Sequence, residues 1–270
     1  MLRAVKLVTS VALSVVVALS VVLFSGVSSP GPRKAQAATS RPNFVFILAD
    51  DMRKDDLKYM PKTRSLLQDK GMSFSNAYVS DALCAPSRAT IMRGQYAHNT
   101  GVWNNENPTN GGWEGYRSNG NERDNVATRL DASGYRTALI GKYFNGYENT
   151  RYVPQGWDKW FATFTFDYFD YDVNANGTIR HFGSRNGDYL TDVLRTQTRG
   201  FIGTSVAQDT PFFAYVAPIA PHTGVPAPRD EHKYDGVRAP RLPSFNERDV
   251  SDKPPGYASC LDSVTSKRRR

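Results

Sequence analysis

Residues 43–51, "NFVFILADD", are a short continuous apolar run that stops at two aspartates, Asp50 and Asp51. The run is too short for a comfortable helix and is rich in β-branched and aromatic residues, which predicts a strand buried on both faces. Working outward, "NVATRLDASG" (125–134) reads as a helix stopped by Gly134, and "YRTALIG" (135–141) as a strand ending at Lys142. Further on, "DYLTDVLRTQTRGFIGTSV" (188–206) has the apolar spacing of a helix, and "PFFAYVAPIAP" (211–221) supplies another buried strand with His222 at its end.

Helices alternating with buried strands predict an α/β fold, a mostly parallel sheet with helices on both faces. Such sheets bind ligands beyond the carboxyl ends of their strands, so the fold itself would bring Asp50, Asp51, Lys142 and His222 to one rim. Between these units, "FTFDYFDYDVNANGTIRHFG" (164–183) alternates aromatic and polar residues around Asn176-Gly177, predicting an antiparallel hairpin excursion from the main sheet. His181 reads as a hairpin surface residue, since no other chemical group accompanies it. The hairpin aromatics could stack on a sugar, but packing is their default use.

The chain carries a net charge of +8, which the sequence places at its two ends. Setting aside Arg3, Lys6, Arg33, Lys34 and the run Lys267–Arg270 leaves the body with equal numbers of basic and acidic residues. The basic balance therefore points to no nucleic acid partner. Arg3 and Lys6, the apolar run that follows and the small-x-small site Ala35-Gln36-Ala37 together predict a signal peptide over residues 1–37 and a secreted, extracellular protein. An uncleaved anchor is the alternative. With the leader removed, no stable membrane association is expected, and the remainder is long enough for one domain with a sizeable core.

One of the two cysteines, Cys84, lies in "DALCAPSRATIMRG" (81–94). Pro86 and Ser87 favour a helix starting just after Cys84, which would set Cys84 and Arg88 near free amides and the positive end of a helix dipole. A thiol there could be an activated nucleophile. In an oxidising compartment it could equally form a disulfide with Cys260.

At these residues the chain resembles the sulfatase family. "ALCAPSRATIMRG" (82–94) fits that family's first signature throughout, including the Cys-x-Pro-Ser-Arg core, and "GYRTALIGKYF" (134–144) resembles its second, around Lys142. The aspartates of "ILADD" and the histidine of "APIAPH" stand in the right order and surroundings, and four ordered motifs are a far stronger signal than one. "GKYFNGY" and "APHTGVPAPR" look most like the branch related to N-acetylglucosamine-6-sulfatases and arylsulfatases. The resemblance runs from Pro42 to about Pro254 and implies an alkaline-phosphatase-like fold.

The resemblance also implies a chemistry. Cys84 would be converted to formylglycine by a separate formylglycine-generating enzyme, and the hydrated aldehyde would offer two hydroxyls on one carbon. One attacks the sulfur of a sulfate ester while the alcohol departs; the other loses its proton as sulfate is expelled and the aldehyde re-forms. Asp50 and Asp51 would be oxygen ligands of one divalent cation, usually calcium (Ca2+), which also contacts the modified Cys84. Arg88 would hold the hydroxyl of the modified residue and support the metal-site geometry, Lys142 would contact a sulfate oxygen, and His222 would contact the sulfate or assist proton transfer at the leaving oxygen. The implied substrates are a sulfated sugar or an aryl sulfate ester.

Two departures accompany the resemblance. Many relatives carry a histidine two residues beyond the lysine, where Phe144 stands here with Asn145 following, a clue to substrate class. Family members also continue beyond this point, with an Asp-Asn pair for the cation site, a second lysine, further strands and a smaller C-terminal domain. The expected organisation is thus a leader over 1–37, the N-terminal part of a sulfatase catalytic domain over 38–256 and a disordered basic tail over 257–270. A truncated enzyme of this kind is expected to be weak or inactive alone, with an exposed sheet edge and carboxylates that repel one another at the rim. The alternatives are a non-catalytic secreted glycan-binding protein, a phosphatase-like hydrolase, which should carry serine or threonine at the nucleophile, and a thiol hydrolase using Cys84 and His222, for which no orienting acid is evident.

Overall fold

The computed structural model describes residues 41–238, 241, 249 and 251. The predicted leader, Cys260 and the basic tail lie outside the described residues. The chain divides into two compact units at Phe44, and only residues 41–44 of the first are described. All that follows concerns the second unit.

Its strands are β1 (Phe44–Ile47, of which 45–47 belong here), β2 (Arg136–Lys142), β3 (Lys159–Thr163), β4 (Tyr171–Ala175), β5 (Thr178–Phe182) and β6 (Phe212–Ala217). The principal helices are α1 (Cys84–Arg93), α2 (Gly112–Ser118), α3 (Val126–Ala132) and α4 (Leu190–Ala207). One sheet orders the strands β1-β6-β2-β3-β4-β5. β2 runs parallel to both β6 and β3, whereas β3–β4 and β4–β5 are antiparallel. The hairpin turns at Asn176 and Gly177, both at positive φ, and its antiparallel strands β4 and β5 extend the parallel part of the sheet at one edge. Asn174, buried on β4, pins that extension by donating to the carbonyl of Thr150 at 3.0 Å.

Period-two alternation places one residue of each central strand on each face. On β2, Leu139 packs with Ala85, Ala89 and Met92 of α1, while Ala138 and Ile140 pack with Leu190, Val193 and Leu194 of α4. Each fully buried Leu or Ile contributes about 1.5–3 kcal/mol relative to exposure, so the two layers rather than any single bond hold the sheet. Helix α3 is set by local chemistry. Asn125 Oδ1 accepts from the N–H groups of Ala127 and Thr128, and Gly134, at φ 77°, ends the helix with its N–H on Asp131 and that of Tyr135 on Leu130. That paired closure is what the glycine supplies.

The burial expected of the first run is not found. Val45, Phe46 and Ile47 are 46%, 36% and 58% exposed. Among the described residues β1 stands at the end of the strand order with β6 as its one neighbour, and its apolar residues lack the helix cover that β2 and β6 receive. An apolar run reports what a strand could bury, while position in the sheet decides what it does bury.

Candidate active site

The tips of β1, β2 and β6 converge. Beyond β1 the chain stays alongside β6: Leu48 donates to Val216 at 2.9 Å, and Asp50 forms a parallel bridge with Pro221. Asp50 is thereby held buried, while the next residue turns through φ 59°, a left-handed value unusual for a residue with a side chain, and leaves the Asp51 carboxylate exposed. On β2, Gly141 takes φ 119°, and a Cβ there would lie 2.1 Å from the Ala217 carbonyl oxygen. Only glycine permits β2 and β6 to approach so closely just before Lys142.

Cys84 is the first residue of α1, one position earlier than the sequence suggested. Pro86 is accommodated because the first-turn N–H it lacks has no helical partner anyway. The first turn is partly satisfied already: Asn105 Oδ1 accepts from Ala85 N–H at 2.8 Å. Cys84 is a free thiol whose Sγ donates to Asp50 Oδ1 at 3.6 Å. Burial pushes this thiol up, so the helix dipole does not make it a ready thiolate. That weakens the activated-thiol reading, although the structure does provide the acid the sequence did not reveal, with His222 Nε2 3.5 Å from Asp51 Oδ2.

Asp50 is the hub. Arg88 Nη2 reaches Asp50 Oδ1 at 3.1 Å and Lys142 Nζ reaches Oδ2 at 2.8 Å, with all three side chains buried. Arg88 Nη1 also donates to the Lys142 carbonyl at 2.9 Å, tying α1 to the tip of β2. Burial opposes ionisation of Asp50, but Arg88 and Lys142 prevail and hold its pKa below the ordinary aspartate value. The expected repulsion between rim carboxylates is thus countered from within.

Asp50, Asp51 and Cys84 each place a ligand atom within 4.8 Å of the others. Two carboxylates suit a hard divalent cation and a thiol does not, so the set fits such a cation once an oxygen replaces the sulfur at position 84. His222 completes the rim from the β6 side, stacked on Phe166 with ring centroids 4.4 Å apart. The same Phe166 ring lies 4.4 Å from Lys142 Nζ. All six site residues singled out in the sequence therefore surround one point, and His181 lies apart, exposed between Asp170 and Asp172.

Sequence reasoning missed Asn105, Phe166 and Glu122. Glu122 is buried and accepts from Trp113 Nε1 (3.0 Å), Tyr143 Oη (3.2 Å) and Tyr152 Oη (2.7 Å). In the sequence it sits in "GNERDN" and looks like part of a solvated charge cluster.

A sequence model of the sulfatase family matches residues 42–265. The N-acetylglucosamine-6-sulfatase of Homo sapiens is 36% identical over 220 residues, covering 78% of this chain and 40% of that protein. The extracellular sulfatase SULF-1 homolog of Drosophila melanogaster is 33% identical over 225 residues, covering 80% of this chain and 20% of that protein. The chain thus spans two fifths or less of the length of these relatives. Among solved structures, one described as in complex with its substrate D-glucosamine-2-N,6-O-disulfate superposes with a TM-score of 0.60 at 24% identity, over 77% of this chain and 41% of that one. Among the described residues, no helix is long and apolar enough to cross a membrane.

Proposed function

Because the chain belongs to the sulfatase family, we propose that it is a secreted sulfuric ester hydrolase acting on sulfated sugars or aryl sulfates through Cys84 matured to formylglycine. The observation that carries this reading is the meeting of Cys84, Asp50 and Asp51 within 4.8 Å at the start of α1, beside Lys142 and His222. Maturation requires a formylglycine-generating enzyme and would supply a hydrated aldehyde whose hydroxyl is the nucleophile toward sulfur. A divalent cation, calcium as the family resemblance implies, would be held by Asp50, Asp51 and position 84, and when bound would polarise the sulfate.

The chain's own residues have separable tasks. Lys142 stands at the tip of β2 with its ammonium fixed between Asp50 and the Phe166 ring, placed to hold a sulfate oxygen as charge develops there. Arg88 keeps Asp50 ionised and locks the Lys142 backbone, so cation ligand and sulfate contact keep a fixed spacing. His222, oriented by Asp51 and by stacking on Phe166, can deliver a proton to the departing alcohol oxygen. Tyr168 Oη donates to the His222 carbonyl at 3.0 Å and fixes that loop.

The test is hydrolysis of an aryl sulfate by the chain co-expressed with a modifying enzyme, in calcium. Turnover that disappears in Cys84→Ala supports the proposal; turnover equal in Cys84→Ala and the parent chain overturns it.

A further inference from the structure

Three basic side chains share one face of the sheet away from the catalytic rim. Arg136 and Lys159 are the first residues of β2 and β3, whereas Lys142 of the rim is the last residue of β2. Lys159 is the register partner of Ala138, so Arg136, two residues before Ala138, projects from the same face as Lys159. Arg180 on β5 pairs with Val173, which packs with Ala138 and Phe161 in the layer under α4. Strand alternation thus puts Arg136, Lys159 and Arg180 on the α4 face.

That face supplies them with no carboxylate. Arg136 Nη1 donates to Ser205 Oγ at 3.1 Å and its guanidinium lies 5.2 Å from the Phe201 ring centroid, both neutral partners on α4. Among the described residues neither Lys159 nor Arg180 forms an ion pair. The acids nearest in the chain are engaged elsewhere. Asp158 Oδ2 accepts from Thr137 N–H at 2.8 Å, and Asp172 meets His181 at 2.9 Å, its register partner on the other face of the hairpin.

Lys159 bears the consequence. It is half-buried, and burial lowers its pKa, with the charges of Arg180 and Arg136 lowering it further. The body of the chain is electrically balanced, so this concentration of positive charge is local. A fold that gathers three cations without a counter-charge of its own is one that a bound anion stabilises. Arg180 is exposed, so an anion can reach the group from solvent, and its guanidinium offers the forked donors that suit sulfate and phosphate oxygens.

We infer that Arg136, Lys159 and Arg180 form a binding site for a tetrahedral oxyanion of the sulfate or phosphate type, at the starts of β2 and β3 and separate from the catalytic rim. The site does not depend on the proposed hydrolysis. Its ligand neutralises the lysine from the open side, while Ser205 and Phe201 hold Arg136 in place behind it.

Thermal melts of the full chain in chelator test the site, with low-millimolar sodium sulfate compared against sodium chloride at equal ionic strength, below the range in which sulfate acts by exclusion. The parent chain should melt about 3 °C higher in sulfate, by mass action on the native state. Lys159→Met keeps the apolar stem and removes the charge. It should lose that rise and, in low-salt chloride, melt about 2 °C above the parent, because a cation has been taken from beside two others. Arg180→Gln, at an exposed position, should also lose the sulfate rise, and it keeps the test decisive should Lys159→Met fail to fold. No rise in the parent chain overturns the site. So does a rise of equal size in the parent and in Arg180→Gln, which would belong to the catalytic rim or to salt in general.

Discussion

Lys142 Nζ lies 2.8 Å from Asp50 Oδ2 although 92 residues separate them in the chain, and Arg88 holds the other Asp50 oxygen at 3.1 Å. Removing the acid from this buried triad leaves two cations without compensation in a region of low polarity. Asp50→Asn should therefore destabilise the fold by about 3–5 kcal/mol, more than Lys142→Met, which still leaves Asp50 paired with Arg88. Urea unfolding of the three proteins checks the order.

The same triad fixes a pH dependence. Asp50 has its folded pKa below the ordinary aspartate value because Arg88 and Lys142 outweigh the cost of burial. A lowered carboxyl pKa gives stability that is fully present above the unfolded value, about 3.9, and is lost as pH falls through the folded one. With calcium chelated, unfolding free energies measured from pH 5 down to pH 2.5 should fall more steeply for the parent chain than for Asp50→Asn. Equal slopes would show that Asp50 is not held ionised by its partners.

Asp51 separates cation binding from folding. Its carboxylate is exposed and its φ of 59° is one that asparagine tolerates well, so Asp51→Asn should fold normally. Calcium bound only by the native state raises the melting temperature by mass action. The parent chain should show that rise in a thermal melt, and Asp51→Asn should lose most of it while melting at nearly the same temperature in chelator.

Glu122 predicts a different failure. Three donors converge on one buried carboxylate, and a glutamine amide would face them with an N–H₂ group on one side. Glu122→Gln should cost about 1–3 kcal/mol and change the near-ultraviolet circular dichroism of Trp113, whose indole would lose its anchor.

These residues also mark what the sequence made legible. Asp50, Lys142 and His222 were readable because each follows an apolar run, and a parallel sheet carries strand ends to one rim. Strand β1 was legible as a strand, but its exposure was not, because apolarity does not reveal which strand lies at the edge. The support Arg88 gives the cation site was legible only through the family resemblance, and the role of Glu122, which depends on aromatic donors up to 30 residues away, was exposed by neither spacing nor residue type.

The central claim is that position 84 acts as a carbonyl carbon over the Asp50–Asp51 pair. Mass spectrometry of the tryptic peptide containing Cys84, after co-expression with a formylglycine-generating enzyme and trapping with a hydrazide, tests it most directly. The account predicts an aldehyde at that residue in place of the thiol. A peptide that keeps an unmodified cysteine, or carries it in a disulfide, would contradict the account.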